Sequence, residues 1–336
     1  MNILVTGGLG YIGSHTVVEL IENNYEVIII DNLSNSELFI LDNIKKITGV
    51  KPKFYNEDLL DLNKTNEVIN KHGIDGVIHF AAFKSVSESI KYPLKYYRNN
   101  LLSLINILRS MVENNISNIV FSSSCTVYGQ PDKLPVSENA PFKKADSPYS
   151  KSKQISEQII EDFVNSNDNI SSISLRYFNP VGAHDSGMIG ELPIGIPDNL
   201  VPYITQTAAG IRDELSVFGN DYNTSDGTAI RDYIHIVDLA KAHLMAIKRL
   251  NNSKKKNIFE FFNVGKGTGF SVMDVINSFE KINNIKLKYS FRDRRDGDIE
   301  EIYSDVTKSK KILKWQAEKS LDDMMSSAWK WQKYLK

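Results

Sequence analysis

Seven residues near the N-terminus, Gly7-Gly8-Leu9-Gly10-Tyr11-Ile12-Gly13, constrain this chain more than any other stretch. They follow the apolar run Asn2–Thr6 and precede an amphipathic segment, 14–23, whose Val17, Val18, Leu20 and Ile21 fall mostly on one side. Glycines between a strand and a helix let the backbone take φ values that side chains resist and approach a pyrophosphate closely. The helix that follows offers free N–H groups and the positive end of its dipole to an anion. An acid, Asp31, ends the next apolar run, Glu26–Ile30. Its carboxylate can accept bonds from both hydroxyls of a ribose and would repel a 2′-phosphate. No Arg or Lys lies within 31–36. The pattern reads as a site for NAD rather than NADP.

The first half of the chain continues this alternation. Short β-branched runs at 53–56, 76–80, 118–122 and 170–176 read as further strands, and 63–71 has a helical pattern. Strands alternating with helices pair in parallel through right-handed crossovers, which predicts an α/β fold with a doubly wound parallel Rossmann sheet. After about residue 178 the pattern changes. Segments 179–202 and 216–233 are rich in Gly, Pro, Asn and Asp, and 239–250 reads as one more helix. A length of 336 residues fits about two domains. The division expected is a nucleotide-binding domain over 1–178, with some later segments packing back on it, and a smaller mixed α/β domain over 179–336.

Charge and cysteine content narrow the function classes. With 40 Lys+Arg against 41 Asp+Glu, the chain has no global electrostatic reason to seek nucleic acid or a membrane surface. Any anion it binds must meet a local site. A single cysteine, Cys125, excludes an intrachain disulfide and fits a reducing compartment. No apolar run approaches the ~18 residues that a membrane span needs, and the expected location is the cytoplasm. The six histidines show no metal-binding spacing, so no metal is expected. His79 reads as a hydrogen-bonded core residue, Cys125 as a packed thiol, and the basic run 254–256 as a solvated loop.

A second chemical signal lies in Tyr149-Ser150-Lys151-Ser152-Lys153, where a phenol and an ammonium stand one helical turn apart. Ser147-Pro148 supplies an N-cap and a proline at the first helical position, which places the pair in the first turn. Among the 15 tyrosines, only Tyr149 has Lys four residues on. A neighbouring cation favours the phenolate, and a phenolate can accept the proton of a substrate hydroxyl. The hydroxyl-rich stretch Ser122-Ser123-Ser124 follows the fifth expected strand, at the sheet edge where ligands bind in such folds.

With these motifs in place, the sequence resembles the extended short-chain dehydrogenase/reductase family. Within that family it is similar to the UDP-hexose 4-epimerases over essentially the whole chain. The resemblance rests on residues 5–16, 31–36, 77–84, 121–129, 147–153, 175–184, 195–200, 217–222 and 226–235. The later stretches, such as Arg176-Tyr177-Phe178-Asn179-Pro180 and Arg231-Asp232-Tyr233, are the more specific to nucleotide-sugar epimerases.

The resemblance implies tightly bound NAD and reversible C4 epimerisation of UDP-glucose and UDP-galactose through a transient 4-keto sugar. It implies Tyr149 as the base, Lys153 lowering the phenol's pKa, and Ser124 sharing or relaying the proton. By the same resemblance NAD touches Gly7, Gly10, Tyr11, Ile12, Gly13, Asp31, Asn32, Asn35, Ser36, Asp58, Leu59, Phe80, Ala81, Ala82, Lys84, Asn99, Ser122, Tyr149, Lys153 and Phe178. The UDP-sugar touches Lys84, Ser124, Tyr149, Phe178, Asn179, Asn199, Leu200, Ser216, Val217, Phe218, Arg231, Tyr233, Arg295, Asp298 and Ile302. Arg231 and Arg295 suit a diphosphate, since a guanidinium binds it in bidentate geometry.

Related chemistries and other sugars remain alternatives. In the family's 4,6-dehydratases an Asp-Glu pair follows the serine strand; here those positions are Cys125 and Thr126. A non-enzymatic NAD sensor would not need the Tyr149/Lys153 pair. The family's sugar gate falls on Ile302 when Arg294-Arg295-Asp296-Gly297-Asp298 is matched to its motif, or on Tyr303 if the match slips by one. A residue smaller than Tyr at the gate, with Ala82 in place of a common Gly, also admits UDP-GlcNAc and UDP-GalNAc. Amphipathic helices at 94–108 and 155–163 are implied to pair across a homodimer interface.

Overall fold

The computed structural model describes residues 1–295 and 298–336; Asp296 and Gly297 of the matched motif lie outside the described residues. The first half forms β1 (Asn2–Thr6), α1 (Tyr11–Glu22), β2 (Glu26–Ile30), α2 (Phe39–Thr48), β3 (Lys53–Tyr55), α3 (Leu62–His72) and β4 (Gly76–His79). Then follow α4 (Val86–Lys91), α5 (Pro93–Glu113), β5 (Asn118–Ser124), α6 (Pro148–Asn165) and β6 (Ser171–Tyr177). The second half carries β7 (Asn179–Val181), α7 (Leu200–Ala208), β8 (Leu215–Phe218), β9 (Ile230–His235), α8 (Ile236–Asn252) and β10 (Phe259–Val264). It ends with β11 (Gly269–Ser271), α9 (Val272–Asn283), β12 (Tyr289–Arg292), β13 (Glu301–Ile302) and α10 (Leu321–Tyr334).

Seven strands form one parallel sheet in the order β10-β6-β5-β4-β1-β2-β3. Alternate residues of one strand feed two separate cores. Ile3 and Val5 of β1 pack with Val17 and Leu20 of α1 and Leu239 and Ile247 of α8. Leu4 packs on the opposite face with Val68, Leu104, Ile107 and Ile160 of α3, α5 and α6. That two-sided burial explains why these strands read as continuous apolar runs. Strand order reverses between β1 and β4, which opens a crevice at the carboxyl ends of the strands.

The seventh strand departs from the sequence reading. Phe259–Val264, not marked as a strand above despite its three Phe and one Val, pairs with β6 in register Phe259↔Ser172 to Val264↔Tyr177. The remaining strands build a smaller mixed sheet around β9, with β11 antiparallel and β7 and β13 parallel, plus the pair β8–β12. Its core joins Val201 and Ile204 of α7, Val275 and Phe279 of α9, and Met324 and Met325 of α10. Among the described residues no helix is long and apolar enough to cross a membrane.

Four imidazoles are sealed inside this fold. Burial pushes His15 and His79 down to about 3 and His235 and His243 down to about 4. His79 shares a 2.8 Å hydrogen bond with Thr6, as a core residue should. An unfolded imidazole takes its proton near pH 6.5, so below that pH the unfolded chain binds more protons than the folded one. Each of these groups should subtract about 1 kcal/mol of unfolding free energy between pH 7.5 and 5.5. Urea unfolding at the two pH values checks this; a flat dependence would contradict it.

Candidate active site

The glycine turn is built as its sequence demands. Gly7 has φ of +68°, and a Cβ there would stand 2.9 Å from the Ala81 nitrogen. At Gly13 a Cβ would meet the Gly7 carbonyl oxygen at 2.2 Å, so the helix could not pack against the turn. Helix α1 starts at Tyr11, and its N-cap, Gly10, has no side chain to occupy the first N–H groups. Those donors point out of the β1 end, available to an anion. The carboxylate of Asp31 is fixed across the crevice mouth. It accepts from the Leu9 and Leu33 main-chain N–H groups at 3.0 and 2.9 Å and from the Ser36 hydroxyl at 2.9 Å.

The loop after β4 forms the next wall. Asn100 of α5 accepts from the Phe83 N–H at 2.9 Å and donates to the Phe83 carbonyl at 3.1 Å. Its amide also reaches Ser152 of α6 at 3.2 Å, which ties that loop to the Tyr149 helix. Asn32 donates to Asp58 at 3.3 Å, and Asn106 holds the Leu59 carbonyl at 2.8 Å.

Helix α6 begins as expected: the Ser147 hydroxyl accepts from the Ser150 N–H at 3.2 Å, and Pro148 opens the helix. This sets Tyr149 and Lys153 in its first turns. Lys153 is buried, and its ammonium donates to the Ser122 carbonyl at 2.6 Å. Burial lowers Lys153 to about 8, with the Glu157 charge acting against that shift. Burial raises the Tyr149 phenol to about 12, and the Ser124 hydroxyl pulls it back only in part. Lys153 turns its charge toward the Ser122 carbonyl and sits 6.0 Å from the Tyr149 ring centre. Burial likewise pushes the Cys125 thiol up, to about 12, and its side chain packs against the Val127–Phe178 cluster.

Behind this wall Arg176 of β6 meets Glu157 of α6 in a bidentate pair, with Nη2 2.6 Å and Nε 3.0 Å from its oxygens. The Ser123 hydroxyl donates to the same carboxylate. Burial works against the Arg176 charge, and the Glu157 bonds more than reverse it, so its pKa is raised.

One continuous cleft along the strand ends gathers every residue assigned above to NAD, from Gly7 to Phe178. The same cleft is lined by Ser124, Asn179, Asn199, Arg295 and Asp298. The structure sets the other substrate candidates back from that wall. Arg231 reaches it through Asp298, at 2.7 Å, and Phe218 through Arg295, which lies 5.1 Å over its ring. Val217, Tyr233 and Ile302 are buried, and Leu200 and Ser216 are partly covered. Ile302 belongs to a buried cluster with Phe178, Val127 and Tyr128. Tyr303, the next residue, lies by Gly269. Sequence reasoning missed Asn100 and also Glu191, whose carboxylate accepts from Lys84 at 2.9 Å. Glu191 lies in an aperiodic stretch that gave no signal.

Comparison with known proteins agrees with this geometry. A family model described as GDP-mannose 4,6 dehydratase matches residues 4–328. UDP-glucose 4-epimerase of Bacillus subtilis is 48% identical over 332 residues, covering 99% of this chain and 97% of that protein. The crystal structure of UDP-glucose 4-epimerase from Stenotrophomonas maltophila, with bound NAD and formylated UDP-arabinopyranose, superposes with a TM-score of 0.97. It is 44% identical and covers 100% of this chain and 98% of its own. The Bifidobacterium longum UDP-glucose 4-epimerase, in complex with NAD+ and UDP, gives a TM-score of 0.95 at 44% identity, over 99% and 98%. This chain therefore belongs to the UDP-glucose 4-epimerase family of extended short-chain dehydrogenases/reductases.

Proposed function

We propose that this protein interconverts UDP-glucose and UDP-galactose by oxidising and re-reducing C4 of the sugar. The observation that carries this reading is the single cleft that joins the glycine turn, the Tyr149/Lys153/Ser124 group, and Arg295 and Asp298. The residues present fit NAD: an uncapped helix start for its pyrophosphate, and Asp31 for its ribose. When bound in its oxidised form, NAD supplies the hydride acceptor and a positive ring that favours the Tyr149 phenolate.

The protein's own groups do the rest. Tyr149 takes the proton of the sugar 4-hydroxyl, and Ser124 relays it. Lys153 holds the cofactor's ribose edge from its anchor on Ser122. Arg231 and Arg295, paired with Asp298, hold the diphosphate while the 4-keto sugar turns and presents its other face. With Cys125 and Thr126 beside Ser124, the cleft has no carboxylic acid there to eliminate a C6 hydroxyl, which disfavours a dehydratase.

We assign residues 1–178, together with α8 and β10, to NAD binding, and most of 179–336 to the UDP-sugar. A cytoplasmic homodimer through α5 and α6 fits the exposed Leu94, Ile105 and Val112 on α5. A second substrate pair is favoured by Ile302. It shares a buried cluster with Phe178, which lines the cleft, and it is smaller than a tyrosine. UDP-GlcNAc and UDP-GalNAc are therefore expected as additional substrates.

The test is conversion by purified protein without added nucleotide cofactor, in separate tubes of UDP-galactose and UDP-GalNAc, followed by proton NMR. UDP-galactose should reach equilibrium with UDP-glucose, and UDP-GalNAc should convert as well. Conversion of UDP-galactose alone would mean that Ile302 still closes the pocket. Conversion of neither, even with NAD added, would overturn the reading.

A further inference from the structure

The reaction has no step for Asp232, yet its carboxylate is fully buried and fully bonded. Oδ1 accepts from the Lys266 N–H at 2.7 Å, and Oδ2 from the Gly267 and Ser304 N–H groups at 3.1 Å each. The Ser304 hydroxyl donates to Oδ2 as well. All four partners are neutral donors, an arrangement that fits the ionised carboxylate. The neighbouring Arg231 pairs with Asp298 instead, at 2.7 Å. The site is tightly built: a Cβ at Gly265 would collide with both the Asp232 carboxylate and the Ser304 hydroxyl. Burying a charge without a counter-ion is costly, and a well-packed apolar residue avoids that cost. What the carboxylate does, and an apolar residue could not, is hold two loops to one strand.

Those loops adjoin the residues assigned to the sugar. Asn179 of β7 pairs in register with Tyr233, and Ile302 of β13 with Arg231, the two chain neighbours of Asp232. The Asn179 amide also donates to the Asp232 carbonyl at 3.0 Å. Strand β13 is only Glu301–Ile302, shorter than ordinary strands and weakly held by its own pairing. Two residues on, Ser304 is tied to Asp232, while the Val136 main chain bonds Tyr303 and Asp305 at 2.8 Å. Asp232 is thus a link between the strand that carries Arg231 and the segment that carries Ile302. None of its side-chain partners is among the residues assigned to NAD, so these bonds use no group that the cofactor would claim.

We propose that Asp232 is a positioning residue for sugar selection: by tying Ser304 to β9 it sets where Ile302 stands relative to Asn179, and so how much room an N-acetyl group finds. The inference rests on the UDP-sugar reading above, with Ile302 at the gate. Untying Ser304 lets the Ile302 segment yield to the larger sugar.

The test is steady-state kinetics with UDP-galactose and UDP-GalNAc for wild type, Asp232→Asn, Ser304→Ala and the double variant, each checked for NAD content and melting temperature. Asparagine keeps the shape but offers one acceptor oxygen to four donors; alanine removes the hydroxyl's bond alone. The ratio of kcat/KM for UDP-GalNAc over UDP-galactose should rise at least about threefold in Asp232→Asn and about twofold in Ser304→Ala. The double variant should match Asp232→Asn, since both changes cut one link. A purely structural role lowers both substrates alike and shifts the melting temperature, with the ratio unchanged. A ratio that is unchanged or lower, or effects that multiply in the double variant, would overturn the proposal. If Asp232→Asn does not fold, the ratio in Ser304→Ala decides alone. If wild type converts UDP-galactose but not UDP-GalNAc, the variants should gain UDP-GalNAc conversion, and no gain sinks this proposal only. If wild type converts neither, the substrate reading fails and takes this proposal with it.

Discussion

Replacing Tyr149 by Phe should cut the interconversion of UDP-glucose and UDP-galactose at least about a thousandfold, within the range that a positioned proton acceptor contributes. Only one oxygen is lost. The ring still fills its place beside Lys153 and Ser124, and Lys153 remains anchored to Ser122. NAD should be largely retained, because the glycine turn and Asp31 lie elsewhere in the cleft. Thermal stability should change little, since the hydroxyl's bond to Ser124 is worth about 1 kcal/mol. The checks are turnover by NMR, cofactor content of the purified protein and a melting curve. Substantial activity in the variant would remove Tyr149 from the reaction.

The second large effect concerns stability. Glu157→Gln should cost about 3–5 kcal/mol, because it leaves a buried guanidinium without its counter-charge. The side chains of Arg176 and Glu157 are 4% and 3% exposed. Arg176 is stacked between Tyr128, Phe142 and Phe261, so it cannot swing to water. The same carboxylate accepts from Ser123, the neighbour of the residue that anchors Lys153, so turnover should fall with stability. Replacing both partners by apolar residues, Glu157→Leu with Arg176→Met, should recover part of the lost stability, since no unpaired charge remains. Urea unfolding of the three forms measures this. A Glu157→Gln variant within about 1 kcal/mol of wild type would show that the pair is already hydrated and adds nothing.

Local chemistry was legible in the sequence; long-range chemistry was not. The turn at Gly7–Gly13, Asp31 at the end of β2 and the Ser147-Pro148 start of α6 each declare themselves within a few residues, and the structure builds all three. Element ends were less clear. Helix α1 starts at Tyr11 rather than at 14, because Gly10 is its cap and Gly13 lies inside the helix. Strand β5 runs through Ser123 and Ser124, residues with little strand preference, because β6 pairs with them at Arg176 and Tyr177. Strand β10 exists through its pairing with β6, a partner far back in the chain. Glu191 could not be found from spacing, since its meaning depends on Lys84, 107 residues away. The spacing of Lys153 from Tyr149 was legible, but its bond to the Ser122 carbonyl, contributed by β5, was not.

The central claim is that C4 is oxidised and reduced within one cleft, with the hydrogen returning to the carbon it left. The most direct measurement runs the reaction of UDP-galactose in heavy water and reads C4 of the UDP-glucose formed by proton NMR. A hydrogen that travels as hydride does not exchange with solvent, so the product should carry protium at C4. Deuterium at C4 would mean that the proton is exchanged by an acid–base route, and the roles given to NAD and Tyr149 would be wrong.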